Sequence, residues 1–422
     1  MNRPHPSSPS LRAGGRGTAA LTVLVASALL LGGCAGDYVS RTRGVRAAYE
    51  HYDHEQALKQ LEREEKEKSS IDELLVLLDK GAILHSAGRW QESIAVLSRA
   101  EKLATELDYL SVSEEAKTLL SNERERAYRG EDFEKLMINV LLALNYAQLG
   151  KDEDALVEVR RVNERLLKMV REEKKPYEQL AIARYLGGVL YEDQGQLDSA
   201  FIDYQKAIEL QPDLGELAEP ALRLAKQLGR DSEYERLRKK YPSVEHGPLA
   251  EGEGQVVAII ETGLSPQKHS TTNNSGGQLL AIPVYHSRAW RLVQARLTAG
   301  ERTAIARRVT SLDQVAQQHL NDRIGKLVAK SLATTAVKAA VAGGIGYATK
   351  SQEAGLLAFW LLTLSNQPDL RSWLSLPGEF QVARLRLPAG THTVELNAQG
   401  RTTKHEVEVK PGRVALIVAR RY

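Results

Sequence analysis

The sequence predicts an α+β multidomain protein, an N-terminal α-solenoid of paired helices followed by a mixed, β-sandwich-like domain with a helical insertion. Three observations lead there. From Gly44 to about Tyr241, apolar residues recur at three and four spacing in a background rich in Leu, Ala, Glu, Lys and Arg, as in amphipathic helices. Around Tyr241-Pro242 that pattern stops, and a polar, Gly/Pro-rich stretch runs to Gly254. Beyond it, apolar or alternating runs separated by Gly/Pro turns read as strands. With 422 residues and 42% hydrophobic content the chain can bury a sizeable core.

Taken in order, the chain opens on a leader. Arg3, Arg12 and Arg16 precede an uninterrupted apolar and small run from Thr18 to Leu31, too short to span a bilayer comfortably. The tetrad Leu31-Gly32-Gly33-Cys34 closes it and resembles the lipobox of bacterial lipoproteins. That resemblance implies removal of residues 1–33 and acylation of Cys34, with 34–43 as a tether. An uncleaved signal anchor and an ordinary secretory signal cut elsewhere are the competing readings. Cys34 is the single cysteine, so in an exported chain it has no internal disulfide partner. Several acyl chains on one residue exceed what stable anchoring requires, so the membrane is an expected partner through the N-terminal lipid. Ala35, rather than Asp, follows Cys34; this resembles the outer-membrane pattern, with the mature chain lipid-anchored there and facing the periplasm.

Without the leader the chain carries 54 basic and 54 acidic residues, a balance that argues against a nucleic-acid partner. The balance hides a split. From Glu251 onward there are 21 Lys and Arg against 12 Asp and Glu, leaving 33 against 42 before it. An acidic first half and a basic second half either touch or face different partners.

Within 44–242 one frame recurs. Gly188, Tyr191, Gly195, Ala200, Tyr204, Ala207 and Pro212 sit at the spacing of a tetratricopeptide repeat, with Gly81, Leu84, Gly88, Trp90, Ser93, Leu97 and Ala100 as a second unit. Ala143, Tyr146, Gly150, Ala155 and Val159 form a third. In this frame Gly188 lets two helices approach, Tyr191 fills the space between them, Gly195 turns the chain, Ala200 packs at the crossing and Pro212 stops the second helix. The turn glycines Gly88, Gly150 and Gly195 stand 62 and 45 residues apart, so longer helices or insertions lie between units of about 34 residues. Such repeats bind through a concave face lined by the first helix of each pair. Here that face is expected to include Met137, Val140, Leu144 and Gln148, then Tyr185, Val189 and Glu192. It is either a partner-binding groove or one filled by the protein's own chain.

After the linker 243–254, the domain 255–422 begins with strands at Gln255–Ile260 and Gln278–Tyr285 flanking a polar loop, Gln267–Gly277. Arg291–Leu297 and Thr303–Val309 are candidate short strands. The insertion, about 311–366, starts at an N-cap signal, Ser311-Leu312-Asp313, and continues into Ala/Gly-rich and apolar runs. Lys338, Lys350 and Glu353 interrupt it, so a buried helical hairpin is expected rather than a membrane span. Four alternating strands close the chain, 379–387, 391–396, 404–409 and 413–419.

Asp369, Arg371 and Trp373 are the most chemically loaded cluster. Buried, Arg371 and Asp369 make a fork that fixes a loop with Trp373 as a core plug; exposed, the trio is a binding hot spot. The segment Asp369-Leu370-Arg371-Ser372-Trp373, then Leu376-Pro377, followed by Ala383-Arg384-Leu385 and Leu387-Pro388-Ala389-Gly390-Thr391-His392, resembles an uncharacterised family of bacterial tetratricopeptide-repeat outer-membrane lipoproteins. The order of parts matches as well. The resemblance implies an envelope location and carries no established activity.

No catalytic residues, metal ligands or cofactor sites are expected. His51 and His54 with Glu55 have helical ligand spacing but no third ligand, and Gly343-Gly344-Ile345-Gly346 follows a helix rather than a strand. The function expected is a non-enzymatic, periplasm-facing lipoprotein scaffold that binds envelope proteins through its repeats. The alternative is a cell-wall ligand-binding protein or enzyme with a pocket in the C-terminal domain near Arg371 and Trp373.

Overall fold

The computed structural model describes residues 37–66, 70–114, 126–171, 180–211, 215–275, 278–288, 294–364 and 368–422. The leader with Cys34, and Pro212, lie outside these residues. Up to Arg41 the chain is a unit of its own, whose described part is the short helix α1 (Tyr38–Arg41). Asp37 caps it, its Oδ1 accepting the Val39 N–H at 2.6 Å.

Thr42 to Tyr422 make one compact unit. Among the described residues its first part forms five helical hairpins. They are α2 (Arg43–Glu50) with α3 (His54–Lys66), α4 (Glu73–Ser86) with α5 (Trp90–Glu114), α6 (Asp132–Gln148) with α7 (Asp152–Arg171), α8 (Ala181–Asp193) with α9 (Leu197–Leu210), and α10 (Glu219–Gln227) with α11 (Asp231–Lys240). Three-residue connections make each of the last four pairs antiparallel, and a glycine at positive φ sits in each turn: Gly88, Gly150, Gly195 and Gly229. Helix length accounts for part of the unequal spacing of the turns, since α5 has 25 residues and α7 has 20.

The frame residues do what the spacing asks of them. A Cβ added at Gly188 would stand 2.6 Å from the Tyr204 ring, so only glycine lets α8 and α9 come this close. In the second unit Ser93 Oγ donates to the Gly81 carbonyl at 2.8 Å, stitching α5 to α4 where Gly81 meets Leu97. Leu84, Ala143, Ala155, Ala200, Tyr204 and Ala207 are buried, while Tyr146 and Tyr191 are half-buried. Ala200→Leu is therefore expected to cost about 1–3 kcal/mol by overpacking the crossing of α8 and α9. A denaturation midpoint unchanged from the parent would contradict the frame.

Among the described residues ten strands follow the helical hairpins: β1 (Glu253–Thr262), β2 (Gln267–Ser275), β3 (Gln278–His286), β4 (Arg296–Ala299), β5 (Arg302–Ile305), β6 (Arg307–Ser311), β7 (Glu379–Pro388), β8 (Gly390–Ala398), β9 (Arg401–Val409) and β10 (Val414–Arg421). One four-stranded sheet has the order β10-β1-β7-β6 and a second β5-β4-β8-β9. In the first sheet β1 is interior, antiparallel to β7 and parallel to β10, and it is buried almost throughout. Val256, Ala258 and Ile260 of β1 join Leu385 and Leu387 of β7 and Val394 and Leu396 of β8 in one apolar core, a sandwich-like arrangement.

Two expectations change. Gln267–Ser275 is not a loop but a strand, paired in register with β3 as a two-stranded ribbon. Its Thr and Ser residues suit an extended backbone although none is strongly apolar. The insertion is a hairpin of α12 (Leu312–Thr349, 38 residues) and α13 (Gln352–Leu364), reversed at Lys350 with φ 52°. It is not buried as expected: beyond its stem most of its described positions are exposed, and α12 meets α13 along a stripe of small residues where Ala342 and Gly346 approach Gly355. No helix among the described residues is long and apolar enough to cross a membrane.

Candidate functional site

The concave face of the helical hairpins is occupied. The first sheet lies against it, with β10 packed on α6 and α8 and β6 on α8. Gln148 Nε2 donates to the Leu416 carbonyl at 3.1 Å, and the Ile182 N–H to Thr310 Oγ1 at 3.0 Å. Asp193 accepts from both Arg413 Nε and Nη2 at 3.0 Å and from the Val414 N–H at 2.8 Å.

Glu192 is the centre of this contact. One carboxylate oxygen accepts from Arg223 Nη2 at 2.5 Å and Gln255 Nε2 at 2.7 Å, the other from Arg384 Nη1 at 2.9 Å and the Tyr204 hydroxyl at 2.7 Å. Burial pushes its carboxyl upward, but Arg384 and Arg223 overcome that and hold it at about 2. The Arg384 guanidinium lies 5.2 Å from the Tyr204 ring centre and 5.9 Å from that of Tyr185. The candidate partner-binding residues Met137, Val140, Leu144, Gln148, Tyr185, Val189 and Glu192 therefore do not line an open groove. All but Gln148 are buried, and Gln148 is bonded to β10. The physical reason is the charge split: basic side chains of the sheet meet acidic side chains of the repeats.

The segment 368–377 packs into the N-terminal hairpins. Arg371 donates from its N–H and Nε to Asp369 Oδ1 and from Nη2 to Asp369 Oδ2 at 2.7 Å, and its Nη1 reaches Asp72 Oδ1 at 2.9 Å. Trp373 is buried, its indole Nε1 donating to Ser375 Oγ at 2.9 Å, which donates in turn to Asp79 Oδ1 at 2.6 Å. The Trp373 N–H donates to Glu134 Oε1 at 2.6 Å.

Glu134 belongs to a polar cluster at the start of α6 that the sequence analysis did not single out. Its Oε2 accepts from the Tyr128 hydroxyl at 2.5 Å and from the Glu131 N–H at 2.9 Å. Glu131 bonds Lys268 Nζ and, at 2.7 Å, Arg323 Nη1. The two carboxyls are driven apart. Burial and the charge of Glu131 raise Glu134 to about 7. Burial also opposes ionisation of Glu131, but Lys268, Arg323 and His319 together hold it at about 2. The available signal was Glu131-x-x-Glu134 before an apolar run, which is a helix-start pattern; nothing local ties it to Lys268 or Arg323.

The sign of the pH dependence follows. In the unfolded chain these groups titrate near 4.5. Between about 4.5 and 7 the folded state holds a proton on Glu134 that the unfolded state has lost, so stability falls as pH rises through that window. Glu131 and Glu192 act oppositely, contributing stability above about 4.5 that disappears as pH falls towards 2. Thermal scans from pH 8 to 3 should show Glu134→Gln flattening the neutral-side slope while leaving the acid loss in place.

A cleft of about 340 Å³ opens beside this cluster, bounded by the start of α6, the β2–β3 ribbon, the α12 stem and the segment at Asp369. Among the described residues no group of three His, Cys, Asp or Glu is placed to hold a metal. His54 Nε2 instead shares a hydrogen bond with Ser86 Oγ at 3.0 Å, and His51 Nδ1 with the Ala47 carbonyl.

No family model matches the chain, and no curated protein matches it. Among solved structures, a MamA from AMB-1 is similar at 19% identity over 48% of this chain and 87% of that one, with a TM-score of 0.31. Another MamA structure gives 15% identity over 48% and 88%, at 0.33. The MamA RS-1 double mutant gives 17% over 50% and 95%, at 0.34. The helical repeat here rests on the chain's own hairpins, turn glycines and buried crossings.

Proposed function

We propose that the chain is a non-enzymatic scaffold of the bacterial cell envelope, anchored by lipid at Cys34 in the outer membrane and facing the periplasm, that recruits protein partners. The recruiting surface is the α12–α13 hairpin, not the filled concave face. One observation carries this. Of the twelve large apolar side chains exposed among the described residues, six stand on the hairpin: Leu332, Val341, Ile345, Tyr347, Leu356 and Leu357. Lys350 and Glu353 put charge at the hairpin's reversal, the end that tip-first insertion into a bilayer would bury, which favours a protein over lipid.

A photocrosslinking residue at Tyr347, 89% exposed, should give a discrete adduct with an envelope protein in living cells, and one at Val189 none. Absence of an adduct at Tyr347 from correctly localised protein would contradict the proposal. Independently, Cys34→Ser should leave the precursor uncleaved by the lipoprotein peptidase and unlipidated, measured by mass and metabolic labelling. A normally acylated mutant would remove the anchoring part of the reading.

A further inference from the structure

We propose that the cleft beside Arg371 is a binding site for a small organic anion, a carboxylate or phosphate carried on an apolar body. At about 340 Å³ the cleft falls in the range of small-molecule sites, roughly 300–1,000 Å³. Its lining is cationic: Arg126, Arg129, Lys268, Arg323 and Arg371 against the carboxylates of Glu131 and Asp369. Those two carboxylates are already engaged, Glu131 by Lys268 and Arg323 together and Asp369 by Arg371. Positive charge is left over, and it stands at the rim. Arg129 is half-buried there with no carboxylate partner among the described residues. Pro283, Leu320 and Leu327 add apolar surface to the lining.

A second, independent observation points to a missing polar group. Tyr285 is 7% exposed, and its buried hydroxyl has no hydrogen-bond partner among the described residues. Its ring lies 5.6 Å from Lys268 Nζ, so the phenol belongs to this cluster. Burial together with Glu131 and Glu134 drives the phenol well upward, keeping it a neutral hydroxyl able to donate. A buried donor left unmatched is costly, and because Tyr285 stands behind Lys268 rather than in the cleft's lining, it would meet a bound ligand through an intervening water. Glu134 takes no part in binding: both of its oxygens are filled by the Tyr128, Glu131 and Trp373 donors.

Calorimetric titration of the full-length protein with benzoate, phenyl phosphate and benzyl alcohol tests this, because the three share an apolar ring and differ in the headgroup. At least one anion should bind saturably, the preferred one naming the headgroup, and the neutral alcohol should not. Arg129→Glu should weaken the anion about tenfold or more, as expected for loss of a charge-assisted contact. Rising salt should weaken binding. Equal binding of benzyl alcohol, an Arg129→Glu variant that binds as the parent does, or no anion binding up to about 10 mM, a Kd weaker than any useful site of this size, would each overturn the proposal.

Discussion

Arg384→Ala is expected to destabilise the protein by about 3–5 kcal/mol, the range for removing one partner of a buried ion pair. Arg384 holds Glu192 at 2.9 Å, Gln255 Oε1 at 2.7 Å and the Tyr204 hydroxyl at 2.6 Å, and it covers two aromatic rings. Its loss leaves the buried Glu192 carboxylate with Arg223 as its remaining cationic partner, beside the neutral Gln255 and Tyr204 donors. The carboxyl should then move up from about 2, and the acid limb of the stability curve should shift with it. Replacing Glu192 by Gln in the same chain should recover part of the loss, because the orphaned charge is removed with it. Urea denaturation of the single and double variants checks both statements; a loss under 1 kcal/mol for Arg384→Ala would mean that the sheet does not depend on this contact.

Trp373→Ala should cost a similar 3–5 kcal/mol, for a different reason. The indole is 1% exposed, so truncation leaves a cavity rather than a solvated notch. It also strips Ser375 of the Nε1 donor and loosens the relay to Asp79 on α4. Trp373→Phe keeps most of the volume and loses only the donor, so it should cost clearly less. Equal costs for the two would place the effect in the hydrogen bond and not in the packing.

How much of this was legible beforehand differs by element. Turn glycines and the Gly188/Tyr204 crossing were readable because a tetratricopeptide frame concentrates its constraints in one short window. The strands of the closing region were readable because one face is buried and alternation survives in Thr391–Leu396. Gln267–Ser275 was not, since a polar strand in a two-stranded ribbon has neither an apolar face nor alternation to show. The hairpin was misjudged for a related reason: an Ala/Gly-rich apolar run looks the same whether it is buried or held out towards a partner.

The site divides in the same way. Asp369 and Arg371 lie two residues apart, so their fork could be anticipated, whereas Asp72 is distant in sequence and its contact could not. The open concave face was one of two readings that composition allowed. The deciding facts are long-range pairings, Glu192 with Arg384 and Asp193 with Arg413, of which only the coarse shadow was visible as acidic and basic halves of the chain.

The central claim is that the chain's own sheet fills its helical groove, and cysteine accessibility tests it most directly. In a Cys34→Ser background, Val189→Cys on the concave face and Ile202→Cys on exposed α9 are compared for reaction with a maleimide. The filled groove predicts rapid modification at position 202 and protection at position 189 until the protein is unfolded. Equal native-state rates at the two positions would contradict it.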